Sequence, residues 1–458
     1  MNSTIKSSNP ATGRELKEYH LMEPAEVDGV LESVHRTFLS WKQVPLEERS
    51  KLMMRAADLL EERKWDLSRL ATEEMGKVKK EGIAEVEKCA WVCRYYAEHA
   101  SAMLQDQEVK TDQVRSFVTF QPIGVVLAVM PWNFPYWQVF RFAAPALMGG
   151  NAGVLKHASN VPGCALAIEA IFRDAGFPPN LFRTLMIRAK AVERVIASPL
   201  IRAVTLTGST EAGKSVAATS GEHLKKTVLE LGGADPYIVL ADADLELAAR
   251  VCAQSRLLNS GQSCIAAKRF IVVEEVHDRF VEAFRDAMAS KKLGDPSLDD
   301  TDIGPQASID LRDELHQQVK DSVAAGAECI LGGEIPEGEG AFYPATILIG
   351  VQKGMVAYHQ ELFGPVASVI KVKDLEQAVQ VANDSDFGLG GGIFSQDIEL
   401  ATKVAREQVD TGAIVVNGFT KSDPRLPFGG VKQSGYGREL SHFGLYEFLN
   451  VKSVSVAG

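Results

Sequence analysis

Apolar positions between residues 46 and 103 recur at helical spacing. Leu52, Ala56, Leu59, Leu60 and Leu67 fall among Glu, Arg and Lys, and Ile83, Val86, Ala90, Cys93 and Ala97 form a second stripe that ends near Met103. Pro45 suits a first helical turn, where the missing N–H costs nothing, so the first hundred residues are expected to be helical. Residues 105–121 change to a polar, β-branched character (Val109, Thr111, Val114, Phe117, Val118, Thr119), which predicts an exposed hairpin. Short apolar runs at 125–130, 153–156, 182–187 and 203–207 are then separated by helix-length segments, the pattern of a parallel sheet covered by helices on both faces. A second such series begins near Pro236, with strands predicted at 237–240, 270–273 and 367–372 and helices at 245–258 and 277–291. The chain is therefore expected to hold two α/β units, without internal repeats.

Composition narrows this picture. A chain of 458 residues is too long for one ordinary core, and 46% hydrophobic with 24% charged residues is the balance of a folded globular protein. The net charge of -11 opposes binding to nucleic acid or anionic lipid. The best apolar run, residues 123–130, is only strand length, well short of the roughly 18 residues needed to cross a bilayer. No apolar h-region follows Met1, so a cytoplasmic location and reduced thiols are expected. The six cysteines form no Cys-x-x-Cys, and the nine histidines form no His-x-x-x-His, so no metal site is predicted. Cys89 and Cys93 fit helix packing, and Cys164, Cys252 and Cys329 lie in apolar segments and read as buried hydrophobes.

Cys264 differs. It ends the small, polar run Asn259-Ser260-Gly261-Gln262-Ser263-Cys264 between a predicted helix and a predicted strand. A loop thiol on a rigid scaffold is either a nucleophile or an inert packing residue. Glu230 ends the apolar strand Thr227-Val228-Leu229 and precedes Gly232-Gly233; it is either a general base with a raised pKa or an ordinary strand-end ion-pair partner. The two glycines would let another backbone approach. Asn133, held in Pro131-Trp132-Asn133-Phe134-Pro135 between two residues of fixed φ, is either a pre-organised amide donor or part of a structural turn. No Gly-x-Gly-x-x-Gly joins a strand to a helix, but Gly208-Ser209-Thr210-Glu211-Ala212-Gly213 is a strand-to-helix turn whose free N–H groups suit phosphate.

Taken together and in order, these segments resemble the aldehyde dehydrogenase superfamily. The resemblance runs from Asn9-Pro10-Ala11-Thr12-Gly13 to the closing strand. It also includes Glu361-Leu362-Phe363-Gly364-Pro365 and Pro427-Phe428-Gly429-Gly430-Val431-Lys432. The runs Lys156-His157-Ala158-Ser159-Asn160 and Lys421-Ser422-Asp423-Pro424-Arg425-Leu426-Pro427 are most similar to the shorter bacterial succinate-semialdehyde dehydrogenases. The implied fold is α/β: a Rossmann-like nucleotide-binding domain (1–104 and 122–233), an α/β catalytic domain (234–435) and a small β oligomerisation element (105–121 and 436–458).

The resemblance also implies a chemistry. Cys264 attacks the aldehyde, the Asn133 amide and the Cys264 backbone N–H hold the oxyanion, and Glu230 activates the water that cleaves the thioester. Trp132, Lys156, Ser159, Gly208, Ser209, Glu361 and Phe363 are the implied cofactor residues, and Arg141, Arg269 and Ser422 the implied partners of a distal substrate carboxylate. Arg141 and Arg269 otherwise fit structural ion pairs. Ser159 stands where many NAD-preferring relatives carry glutamate, and losing that charge admits the 2′-phosphate, so NAD or NADP is expected. Ala266 replaces the second cysteine of longer relatives, which removes a redox pair. Glu230 argues against a coenzyme-A-acylating relative, and Cys264 with Asn133 argues against a non-catalytic one. A homodimer or homotetramer is expected.

Overall fold

Val125–Met130, Ala152–His157 and Ile201–Thr207 are nearly continuous apolar runs, which suits strands buried on both faces. In the computed structural model, which describes residues 4–458, they occupy the centre of a six-stranded sheet. Its order is Gly435–Tyr436, Lys226–Glu230, Ile201–Thr207, Val125–Met130, Ala152–His157, Phe182–Thr184, all parallel except the antiparallel Gly435–Tyr436 edge. The expected helical segment supplies Pro24–Trp41, Leu46–Glu62, Lys64–Met75 and Lys79–Met103, whose apolar faces join the core of this sheet through Trp41, Met53, Leu60, Val86 and Cys93.

A seven-stranded sheet forms the second unit, in the order Glu328–Leu331, Thr346–Ile349, Val366–Val372, Arg269–Val273, Pro236–Val239, Gly392–Phe394, Val415–Val416. Only the Glu328–Leu331 edge is antiparallel. The expected hairpin forms from Gln107–Glu108 and Arg115–Pro122, and Leu449–Val456 pairs along the whole of the latter strand.

Three expectations change. Residues 4–20 are not helical: Thr4–Ser8 and Glu15–His20 make an antiparallel hairpin, closed where Gly13 takes φ +68° and donates to the Asn9 carbonyl at 2.8 Å. Cys329 is half-buried on an edge strand, with its thiol donating to the Leu331 carbonyl, because the sheet ends beside it. Residues 436–448 belong to the first unit and not to the oligomerisation element. Tyr436 is in the first sheet, and Leu440, Leu445 and Phe448 are buried in its core, which leaves only the strand from Leu449 onward to the hairpin. Among the described residues no helix is long and apolar enough to cross a membrane.

Candidate active site

Cys264 follows a backbone that turns sharply. Asn259, Ser260 and Gly261 take φ of +55°, +56° and +77°, three successive left-handed residues of which two carry side chains. Each non-glycine residue held there costs on the order of 1–3 kcal/mol and persists only where its surroundings hold it. Here they do. The Asn259 N–H donates to the Glu81 carboxylate at 3.0 and 3.1 Å, the Ser260 hydroxyl accepts from Gly304 N–H at 2.9 Å, and Arg256 donates to the Gly261 carbonyl at 2.6 Å. Lys268 reaches back to the carbonyls of Ser263 and Cys264 at 2.9 and 2.7 Å and pairs with Glu361 at 3.0 Å.

Glycines bring three sequence segments together. A Cβ on Gly261 would lie 2.2 Å from Gly364, one on Gly233 would lie 2.6 Å from the Cys264 carbonyl, and one on Gly232 would lie 2.5 Å from the Glu361 carboxylate. The three motifs interlock because none of these positions has room for a side chain.

Asn133 leaves the carboxyl end of Val125–Met130 in the proline-bounded turn. Its Nδ2 donates to the Gln262 carbonyl at 3.0 Å, and its own carbonyl accepts from Asn259 at 2.7 Å. His157 braces the turn, with Nε2 donating to the Pro135 carbonyl at 2.8 Å and Nδ1 accepting from Ala158 N–H. Burial lowers its pKa to about 4, so the ring is neutral and this tautomer is fixed.

Two cavities meet at Cys264 and Gln138. One, of about 340 Å³, is lined by Trp132, Asn133, Gly208, Ser209, Glu361 and Phe363, with Trp132 and Phe363 edge to face at 5.8 Å. It opens at the carboxyl edge of the first sheet, where Ser209 caps the helix Thr210–Glu222 and a Cβ on Gly208 would meet nothing nearer than 3.6 Å. An open backbone turn, a carboxylate and flat aromatic walls fit the phosphate, ribose and ring of a dinucleotide. The other, of about 310 Å³, is lined by Phe134, Trp137 and Phe419 together with Lys88, Arg141 and Ser422.

Burial is the main electrostatic force here. It pushes the Cys264 thiol up to about 12, against the opposing charges of Arg141 and Lys268. It also raises the Glu230 carboxyl well above the usual range, with help from Glu439. Glu230 is 2% exposed and packs against Gly429, and its neighbour across the sheet, Thr207, lines the first cavity. Arg141 pairs with Glu439, donates to the Thr207 hydroxyl at 3.3 Å and stacks on Phe428.

A model of the aldehyde dehydrogenase family matches residues 1–454. The chain belongs to this family. It is 50% identical over 453 residues to the probable succinate-semialdehyde dehydrogenase (NADP+) of Synechocystis sp., covering 99% of this chain and 100% of that protein. Succinate-semialdehyde dehydrogenase (NADP+) 1 of Mycobacterium bovis is 46% identical over 456 residues, covering 99% of this chain and all of that one. Among solved structures, succinic semialdehyde dehydrogenase from Streptococcus pyogenes in complex with NADP+ superposes with a TM-score of 0.97 at 39% identity, over 99% of this chain and 100% of that one. The NAD-dependent aldehyde dehydrogenase of Sinorhizobium meliloti gives 0.96 at 32%, over 99% and 91%.

Within the aldehyde dehydrogenase fold, the residues singled out in the sequence divide into groups. Cys264, Asn133, Trp132, Gly208, Ser209, Glu361 and Phe363 converge on the first cavity, and Cys264, Arg141 and Ser422 on the second. Lys156 and Ser159 lie one strand further along the same sheet edge, Lys156 nearly buried and Ser159 exposed, and border neither cavity. Arg269 is a correction: it does not face the substrate side. Its guanidinium is bound by the backbone carbonyls of Ala234, Val381 and Ala382 at 2.8–2.9 Å, so it holds the second unit together.

Sequence reading passed over Glu81, Lys88, His157 and Lys268. A signal existed for the first two: Glu81, Ala84, Glu85 and Lys88 follow the i, i+3, i+4, i+7 spacing of one helix face, and all four line the second cavity.

Proposed function

We propose that the protein oxidises succinate semialdehyde to succinate with NAD or NADP, through a thiohemiacetal and a thioester on Cys264. The observation that carries this reading is the position of Cys264 at the junction of two cavities, one suited to a dinucleotide and the other apolar with cationic and hydroxyl groups. The reaction converts aldehyde, NAD(P)+ and water to carboxylate, NAD(P)H and two protons. The Cys264 thiol gives up its proton to solvent, the thiolate sulfur adds to the carbonyl carbon, and the resulting oxyanion is held by the Asn133 amide and the Cys264 N–H. Bound NAD(P) supplies the hydride acceptor. Trp132, Gly208, Ser209, Glu361 and Phe363 would hold it in the cleft, with Lys156 and Ser159 toward the adenosine ribose. Glu230 takes a proton from the water that adds to the thioester carbon, and the C–S bond then breaks to release succinate and free the thiol. Arg141 and Ser422 border the side on which the distal carboxylate would lie.

Initial rates of NAD(P)H formation test the reading with succinate semialdehyde, butanal and benzaldehyde, each with both cofactors. A preference of about tenfold or more in kcat/KM for the semialdehyde is expected, and equal use of all three aldehydes would overturn the substrate assignment. Ser159→Glu is expected to lower kcat/KM with NADP about tenfold relative to NAD, since a carboxylate near the 2′-phosphate costs on the order of 1 kcal/mol at the surface. An unchanged ratio would remove Ser159 from cofactor selection.

The assembly reading rests on the three-stranded sheet, whose outer edge is Leu449–Val456 with Val451 and Val456 exposed. An unpaired strand edge with apolar side chains favours a second subunit. Size-exclusion with light scattering at micromolar concentration is expected to give two or four copies of the 49.8 kDa chain, and a monomer would refute it.

A further inference from the structure

Lys88 lies on the helix Lys79–Met103, with its side chain in the cavity that reaches Cys264. Its Nζ donates to the Ser422 hydroxyl at 2.7 Å and sits 4.3 Å from the centre of the Trp137 ring. Among the described residues no carboxylate lies within 4 Å of it. The carboxylates nearby are already engaged: Glu85 pairs with Lys77 at 2.7 Å and accepts the N–H groups of Tyr136 and Trp137, and Asp423 is held by Arg425 at 2.6 and 2.9 Å. Two other cations line this cavity: Arg141 is neutralised by Glu439, and Lys421 is exposed to solvent with its Nζ 4.3 Å from the centre of the Phe419 ring. A part-buried ammonium without an anion is costly, and burial with repulsion from Arg141 lowers its pKa to about 8. An incoming carboxylate would remove that cost.

We infer that Lys88, with Ser422, is the specificity-determining group that binds the distal carboxylate of the substrate. The cavity that joins it to Cys264 is also lined by Phe134, Trp137, Ile265 and Phe428, which suit a short methylene chain, and Lys88 is its part-buried cation without a carboxylate partner, whereas Lys421 is solvent-exposed. The inference rests on the semialdehyde reading of the site. It assigns the recognition to a lysine on the N-terminal helical layer, while Arg141 serves the Glu439 pair and Arg269 the second unit.

The test compares kcat and KM for succinate semialdehyde and butanal in wild type, Lys88→Met and Lys88→Arg, with succinate as a competitive inhibitor. Lys88→Met is expected to reduce the semialdehyde-to-butanal ratio of kcat/KM by about 10- to 100-fold, the loss of a charged hydrogen bond. The loss should fall mainly in KM for the semialdehyde, inhibition by succinate should weaken in parallel, and Lys88→Arg should recover most of the ratio. A ratio unchanged in Lys88→Met, or one that Lys88→Arg fails to recover, overturns the role of Lys88. Wild type without preference for the semialdehyde overturns the substrate reading itself, which separates the two failures.

Discussion

Cys264→Ala is expected to abolish aldehyde oxidation, with NAD(P)H formation at least about four orders of magnitude below wild type, the scale on which removal of a covalent nucleophile acts. The fold should survive, because Glu81, Arg256 and Lys268 hold backbone atoms of the loop and the Ser260 hydroxyl accepts from Gly304 N–H, none of them through the thiol. Melting temperature and cofactor binding should therefore stay near wild type while turnover is lost. The same residue should resist alkylation at neutral pH. With the thiol pushed up to about 12 by burial, it is protonated at pH 7, and labelling by iodoacetamide should accelerate as pH rises toward 9. Residual oxidation above about one per cent in the alanine variant would refute the thioester route.

Those same anchors explain how much of the site could be read from the sequence. Cys264, Asn133 and Glu230 drew attention as a polar loop, a proline-bounded turn and a strand end before two glycines, but each also fits a structural role, and the resemblance of the ordered motifs was what attached chemistry to them. The glycines could be read as permitting close approach, and Gly261, Gly232 and Gly233 are where the three motifs touch. What touches them could not be read, because Gly364 and Glu361 are about a hundred residues further along the chain. Arg269 misled for the same reason. An arginine in an apolar strand suggests an anion, and only the fold reveals three carbonyls around it. Lys88 failed in the opposite direction, since a lysine among helix charges reads as solvent-facing until Ser422, 334 residues away, is placed beside it.

The fold followed a similar rule. Strands at the centre of each sheet were legible because both faces are buried and the apolar runs are unbroken. The strands of the seven-stranded sheet left unread, Glu328–Leu331, Thr346–Ile349, Gly392–Phe394 and Val415–Val416, are four residues or fewer and lie toward its two margins, where pairing rather than composition defines them. The N-terminal hairpin is mostly exposed and so has little apolar alternation to find.

Glu230→Gln is expected to lower steady-state turnover by about 10²- to 10⁴-fold, the usual range for a general base, while leaving a first burst of NAD(P)H close to one per active site. Water activation belongs to the second half of the reaction, so the thioester forms and then persists; it should be trapped by mass spectrometry as a succinyl adduct on Cys264. The wild-type steady-state rate should rise as pH increases through the elevated pKa of Glu230, because only the ionised carboxylate accepts the proton, and the glutamine variant should lack that limb. Stability should move the other way. A carboxyl whose pKa is raised on folding contributes stability that is fully present below the ordinary carboxylate value of about 4.3 and is lost as pH climbs through the folded value. Glutamine carries no charge to desolvate, so the variant should melt above wild type at pH 8, with the gap narrowing toward pH 5. The buried, unpaired position that would let Glu230 act as the proposed base therefore costs the fold stability above the ordinary carboxylate range. A variant that melts below wild type at pH 8, or that turns over normally without accumulating the adduct, would remove Glu230 from the deacylation step.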